Sequence, residues 1–434
     1  MICAICPASP RPGTRKTRVT GVSGVRLYKL TMPIPACKGW FLLAALCLLL
    51  AACTSPRGWV PLEGSALPAW QDDGELASLQ AAVRQSIEYY TALPAETPFR
   101  FDSLEYSASE MAASMLLFLD TLAESPDAET LRQNLADRFL VFESLRVNGD
   151  NLFTGYYEPE LQALTKPEGA LREPLLAEPR DLIKVPLQRF GDSLPPRVLV
   201  GRVRGGELHP YPTRQEITGG RGLGDRARII AYVHPVDLYF LQVQGSGVLV
   251  FPDGSRRKVG YASSNGRPYR SLGRLMIRRG LISQEEMSLQ AIRAYLEANP
   301  GEMRRLLNAN PSYVFFSEEE AGPLGNIRVP LTPGRSLAAD HFLLPKGALA
   351  YVQTEVPGGV GDGGLHPFQR FMVIQDTGGA IRGHGRGDIF FGAGAEAEWK
   401  AGHLKSSGRL LVMVARKEAL RQAGTRSQAE RTDP

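Results

Sequence analysis

Three aspartates carry the strongest chemical signal in the chain. Two stand in "QDTGGAIRGHGRGDIFFG", residues 375–392, where Asp376 follows an apolar run and Asp388 precedes Ile389, Phe390 and Phe391 in a glycine-rich frame. The third, Asp340, precedes "HFLLPKG". Aspartates beside glycines commonly accept turn N–H groups, the reading that best fits Asp340 and that competes evenly for Asp376. Asp388 fits it worst, because the apolar run after it would desolvate the carboxyl and raise its pKa. A carboxyl held protonated suits it to protonate a poor leaving oxygen. Asp376, beside Gly378-Gly379, is expected to stay ionised with a low pKa.

A second set of residues has the composition of a sugar-binding wall. "NLFTGYYEPEL" groups Thr154, Tyr156 and Tyr157; "LQVQGSG" groups Gln242, Gln244 and Ser246; "YASSNGRPYRSLG" adds Tyr261, Asn265, Tyr269 and Arg270. Tyrosines stack on sugar rings, and amides and hydroxyls bond to sugar hydroxyls and acetamides. Singly, each would serve equally well as a turn amide or a buried corner tyrosine.

The elements that must position these groups change character along the chain. Leu76, Leu79, Val83, Ile87 and Tyr90 follow a helical period, as do Leu131, Leu135, Phe139 and Phe142, with Asp127 as a cap. "EMAASMLLFLDTL" reads as a buried helix between them. From about Asn151 the pattern turns to short strands: residues 228–263 read as alternating strands with "PDGS" as a hairpin turn. A helical interlude follows, with Ser283 and Glu286 as a capping box, Ile282 and Met287 as its staple, and Asn299-Pro300 starting another short helix. Strands return in "GALAYVQTEV", "FQRFMVIQDT" and "RLLVMVA", and glycines and prolines between them indicate a closed sheet rather than βαβ units. The tail from Lys417 is polar enough to be disordered.

The N-terminus bounds compartment and charge. Residues 1–53 contain basic but no acidic residues and end in the apolar run "WFLLAALCLLLAAC". That is the pattern of a secretory signal, and Leu50 to Cys53 resembles the lipobox of bacterial lipoproteins, in which the cysteine is lipidated. Met32 offers a second start that would give a basic region of ordinary length. Seven of the 50 basic residues lie in this leader and all 45 acidic ones lie beyond it, so residues 54–434 carry a net charge of −2. The basic balance of the whole chain is therefore no argument for nucleic acid. All five cysteines also lie in the leader. Disulfides, thiolate catalysis and a cysteine zinc site are thereby set aside. The six histidines show no paired spacing, and no phosphate-cradling loop or nucleophile elbow is present, so neither metal nor cofactor is expected.

Five motifs in order, "FTGYYEPEL", "DLYFLQVQGSGVLVFPDGS", "VGYASSNGRPYRSLGR", "NPSYVFF" and "QDTGGAIRGHGRGDIFFG", resemble the membrane-bound lytic murein transglycosylase A family, from about Asn151 to Ala415. The last segment is similar to a domain named for three aspartates, a double-psi β-barrel. The resemblance implies a mainly β fold with helices, in two domains with a groove between them. With the signal (1–53), a Pro/Gly-containing tether (54–73) and the tail (417–434) read from composition, it divides the rest into an N-terminal helical part of the barrel domain (74–156), an inserted β-rich substrate domain (157–318) and the three-aspartate barrel (319–416).

It also implies cleavage of the MurNAc–GlcNAc β-1,4 bond of peptidoglycan with formation of 1,6-anhydroMurNAc. Asp388 would be the acid/base, Asp376 its support and Asp340 the holder of a barrel turn. The implied setting is the periplasmic face of the outer membrane, anchored through lipidated Cys53, in contact with glycan strands and with proteins of a wall-synthesis complex. The loop between Asp376 and Asp388 is one residue longer than the family pattern, leaving His384 and Arg386 without an assigned role. A hydrolytic muramidase pairing Asp388 with Asp376, or a wall-binding lipoprotein without activity, are the alternatives.

Overall fold

The computed structural model describes residues 58–432, apart from 148, 192, 196, 221 and 321; the signal segment and Cys53 lie outside the described residues. The chain enters through strand β1 (Trp59–Leu62) and helix α1 (Leu76–Thr91), whose stripe of Leu79, Val83 and Tyr90 is buried. The hairpin β2 (Pro98–Phe101) and β3 (Leu104–Ser107) turns at Asp102, which takes the left-handed conformation a tight two-residue turn requires. Helix α2 (Ala108–Ala123) begins at a capping box of Ser107 and Glu110, and α3 (Ala128–Arg138) at Asp127, whose carboxylate accepts from Thr130 N–H at 2.8 Å. The helical period expected to run through Phe142 stops at Arg138. Phe139 and Phe142 belong to β4 (Phe139–Ser144), where they point to opposite faces of the strand and both are buried. Strand β5 (Leu152–Glu158) follows.

The chain then leaves the sheet it has begun. Strands β6 (Glu160–Gln162), β7 (Glu173–Leu176), β8 (Ile183–Pro186), β9 (Val198–Arg204) and β10 (Glu207–Pro210) lead to the short helix α4 (Arg214–Thr218) and to β11 (Ile229–Val233). Helix α5 (Pro235–Gln244), strands β12 (Ser246–Val250) and β13 (Arg256–Ser264), helices α6 (Leu272–Arg278), α7 (Leu289–Ala298) and α8 (Pro300–Leu307), and strand β14 (Val314–Glu319) complete the excursion. These strands pair only among themselves, in orders β10-β9-β8, β11-β7 and β14-β13-β12-β6, around two apolar clusters of their own. "PDGS" joins β12 to antiparallel β13 as its spacing indicates.

After the excursion come β15 (Ser336–Ala338), β16 (Leu349–Pro357), β17 (Leu365–Asp376), β18 (Arg386–Ala393), helix α9 (Ala395–His403), β19 (Lys405–Ser406), β20 (Gly408–Ala415) and helix α10 (Lys417–Thr432). They rejoin the N-terminal strands in one nine-stranded sheet, ordered β1-β4-β20-β16-β17-β15-β18-β5-β19. The main core lies between this sheet and α1 and α2. The fold is therefore mainly β with helices, in the two-part arrangement expected.

Four expectations are corrected. Residues 235–244 are a helix rather than a strand: His234 caps it, Pro235 opens it, and Gly245 closes it at φ 94°. Nearly every side chain of α5 is buried, so the segment shows no period to read. Ser283 does accept the Glu286 N–H, but no helix starts there; α7 starts at Leu289 under Ser288. Residues 58–73 are packed structure rather than tether, with β1 in the sheet and Trp59 and Trp70 buried. The tail is helical through Thr432, because Ala419, Leu420 and Ala423 pack against the core and Lys417 pairs with Glu110 at 3.1 Å.

The described segment before α1 is fastened by one buried ion pair. Arg335, fully inaccessible, grips both oxygens of Asp72 at 2.7 and 2.8 Å and also donates to the carbonyls of Phe371 and Glu75 and to the Ser78 hydroxyl. Removing one partner of such a pair strands a charge in the core. Asp72→Ala should lower the free energy of unfolding by about 3–5 kcal/mol in a denaturant titration.

Candidate active site

The strand pairing brings two of the three aspartates to the same place. Ala338 at the end of β15 is the register partner of Asp376 on β17 and of Asp388 on β18, and Asp388 is in turn opposite Thr154 on β5. The two aspartate Cα atoms therefore lie two strand spacings apart, roughly 10 Å. Cross-strand partners point to one face of a sheet, so both carboxylates, the Ala338 methyl and the Thr154 hydroxyl share a side.

The period of two also decides what surrounds them. Phe390 shares the face of Asp388, and Tyr156 that of Thr154; their rings lie 5.2 Å apart in a cluster with Leu331, Ala338 and Ile381. Ile389 belongs to the main core, and Phe391 packs against that core and over Gly155. A Cβ at Gly155 would collide with the Phe391 ring and with Ala401 of α9. The apolar wall beside Asp388 is thus Phe390 and Tyr156, whereas all three residues after Asp388 were expected to form it.

Asp388 is 1% exposed and Arg386 4%. The Thr154 hydroxyl donates to Asp388 Oδ1 and accepts from Arg386 Nη2 at 3.2 Å; Arg386 Nη1 donates to the Leu152 carbonyl at 2.9 Å. The carboxyl is held in one orientation by a hydroxyl that a buried guanidinium fixes. Sequence reasoning gives Arg386 no role, although its position two residues before Asp388 in a strand puts it on the same face.

Asp376 behaves contrary to expectation. Its Oδ1 does accept the N–H groups of Thr377 at 2.8 Å and Asn326 at 3.0 Å, as its glycine-rich surroundings suggest. Burial outweighs them and pushes its pKa up to about 6, with the nearby Asp388 charge adding to the rise and Tyr156 opposing it. The carboxylate keeps some accessible surface, yet protein crowds it closely, and the crowding governs the shift. The Tyr156 hydroxyl is buried and makes no hydrogen bond of ordinary geometry among the described residues. Burial, and the charge of Asp376 close by, raise its pKa well above the ordinary value.

Asp340 accepts from Gly383 N–H at 2.9 Å and Phe342 N–H at 3.2 Å, with Arg382 at 3.6 Å, and so ties the glycine-rich loop to the turn after β15. His384 anchors the same loop against Ser144 at 3.2 Å and the edge of Trp59. Gly385 must be glycine: φ is 62° and a Cβ would strike Asn151.

The sugar-wall residues divide. Tyr157 is buried where the excursion begins; Gln244 Oε1 accepts its N–H at 3.2 Å, and burial and the Glu398 charge raise its hydroxyl pKa. Arg293 pairs with Asp237 at the same junction. Ser246 follows half-buried, and Gln242 donates to Val314 O at 3.1 Å, its own oxygen left unpartnered among the described residues. Asn265 is fully buried and spends its side chain on Pro212, Pro311, Tyr313 and Arg267 backbone, which makes it a brace of the excursion rather than a ligand group. Tyr269 is crowded against Tyr239 and Arg214, Arg270 is exposed with its N–H on Asn310, and Tyr261 is half-exposed on β13. Among the described residues no group of His, Cys, Asp and Glu could hold a metal ion, and no helix is long and apolar enough to cross a membrane.

Two family models match in sequence order: the MltA specific insert domain over residues 152–317 and the 3D domain over residues 335–414. A crystal structure of membrane-bound lytic murein transglycosylase from Agrobacterium tumefaciens is similar at 31% identity and a TM-score of 0.69, over 84% of this chain and 99% of that one. The chain belongs to the membrane-bound lytic murein transglycosylase A family. E. coli MltA solved with bound chitohexaose has a TM-score of 0.62 at 27% identity, over 83% of this chain and 95% of that one. The curated Escherichia coli K12 relative is 36% identical over 269 residues, which is 61% of this chain and 66% of that relative's length. In the family's terms, the insert match covers β5 and the excursion β6–β14 except the last two residues of β14, and the 3D match covers β15–β20 except Ala415.

The raised Asp376 pKa has a consequence for stability. The folded protein binds this proton more tightly than the unfolded chain, so the contribution is full below about pH 4 and is lost as pH rises through about 6. Asp376→Asn should remove it. The stability of the variant relative to wild type should rise by on the order of 1–2 kcal/mol between pH 4 and 7, measured by denaturant unfolding at each pH.

Proposed function

We propose that this protein is a lytic transglycosylase that cleaves the MurNAc–GlcNAc β-1,4 bond of peptidoglycan and leaves a 1,6-anhydroMurNAc end. The observation that carries the reading is the pairing of Asp376 and Asp388 to either side of Ala338, on a face walled by Tyr156 and Phe390. The names of the related enzymes, and the chitohexaose bound to E. coli MltA, support the substrate class. By the same names the relatives are membrane-bound, which suits lipidation at Cys53 on the periplasmic face of the outer membrane, beside proteins that build the wall.

In this reading Asp388, oriented by Thr154 and Arg386, gives its proton to the glycosidic oxygen. The bond from that oxygen to the anomeric carbon breaks, and the sugar develops oxocarbenium character. The MurNAc 6-hydroxyl oxygen bonds to the anomeric carbon, and its proton passes to Asp388, which regains its starting state. Asp376, ionised above about pH 6, stabilises the developing positive charge from the far side of Ala338. No water is consumed. The tethered hydroxyl outcompetes bulk water because effective molarities of well-placed intramolecular groups reach roughly 10⁵ M or more. A hydrolase would need the second carboxylate to attack carbon or activate water.

Digestion of purified sacculi followed by mass spectrometry of the fragments tests this. Ends lighter by one water than reducing MurNAc are expected. Asp388→Asn should reduce turnover by about 10³-fold with sacculus binding retained, and Asp376→Asn should slow it by roughly 10–100-fold without changing the product. Reducing ends would make the protein a muramidase, and binding without any release would make it a wall-binding module.

A further inference from the structure

A concavity lies close to Asp376. Trp59, the β2–β3 hairpin and the turn 341–346 enclose a cavity of about 510 Å³. Two of its lining residues lead directly to the site. His341 Nδ1 is hydrogen-bonded to the Thr377 hydroxyl at 3.0 Å, next along the chain from Asp376. Lys346 is half-buried in the cavity wall, close enough to Asp376 for the two charges to interact.

The lining has no Asn, Gln, Ser or Thr, the side chains that read sugar hydroxyls and acetamides. It offers instead the cations Arg100 and Lys346, with Asp102 as the acidic exception, and apolar walls including Phe99 and Phe342. Arg100 is shared with Glu105, at 3.1 Å on an exposed pair. Phe342 is 56% exposed, with the His341 ring 4.1 Å from it and the Arg382 guanidinium 5.7 Å from its centroid. A large apolar side chain held at the surface between cationic and ring partners suits a ligand with both carboxylates and small apolar groups.

We propose that this cavity is a subsite for the peptide stem of the glycan strand, the short acidic peptide carried by MurNAc. The inference rests on the transglycosylase reading, because it is the reacting sugar that carries the stem. A peptide attached to that sugar must leave the aspartate site within a few ångströms, and two residues of the cavity wall, Lys346 and His341, adjoin Asp376 and Thr377. Positive charge meets the stem carboxylates, and the walls of Phe99, Phe342 and Leu343 meet its methyl groups. A carboxylate near Lys346 also offsets the desolvation that lowers the pKa of this ammonium.

The test compares rates on glycan strands with intact stems and on the same strands stripped of peptide by an amidase. The wild-type KM should be about tenfold lower on stem-bearing strands. Phe342→Ala and Arg100→Ala, both at exposed positions, should erase that difference while leaving kcat and the KM for stripped strands unchanged. A wild-type enzyme with equal KM on both substrates, or variants that keep the preference, would overturn the subsite while leaving the transglycosylase reading standing. If neither substrate yields anhydro ends, that reading fails instead. Titration of the full chain with free stem tetrapeptide, followed by the fluorescence of tryptophan at Trp59, then decides the subsite alone: a saturable change lost in Phe342→Ala supports it, and no change refutes it.

Discussion

The parallel pairing of β5 with β18 is the constraint on which the site depends. It places Thr154 opposite Asp388, and through β18 it fixes Asp388 opposite Ala338 and hence across from Asp376. Strand β5 comes before the excursion and β18 well after it, so the pair joins residues 234 apart in the chain while the excursion between them packs on its own cores. A slip of one residue would turn Asp388 toward the main core and Ile389 toward the site. The core residues Phe153, Leu337 and Ile389, all on the reverse face, resist such a slip because each would have to leave the interior.

Around that pairing the molecule uses polar groups sparingly and in depth. Arg386 and Thr154 orient one carboxyl, turn N–H groups hold the other, and Asp340 keeps the glycine-rich loop beside both. The Tyr156 hydroxyl is buried close to Asp376 without a well-formed hydrogen bond among the described residues. The buried Arg335–Asp72 pair fixes the chain ahead of α1 against the sheet.

Much of this was legible in the sequence, for reasons that can be named. The three aspartates stand beside glycines and apolar runs that announce turns and strands, and the helices α1, α2 and α3 carry either a clear period or a clear cap. What escaped depended on long-range packing. Helix α5 is buried on nearly all sides and so lacks an amphipathic pattern. Asn265 looks like a ligand group until its partners at 212, 311 and 313, far along the chain, are known. The acidity of Asp376 could not be read from neighbouring glycines, because burial in the folded chain outweighs the N–H groups of Thr377 and Asn326 that favour its ionised form. The roles of Phe390 and Phe391 separate only once the strand's two faces are assigned.

The central claim is that bond cleavage at Asp388 ends in attack by the sugar's own hydroxyl. Digestion of sacculi in water enriched in ¹⁸O tests it directly. The account predicts muropeptide ends free of the isotope, since no solvent oxygen reaches the anomeric carbon. One ¹⁸O atom per newly formed MurNAc end, incorporated at the time of cleavage, would contradict it and assign the chemistry to a water activated between the two aspartates.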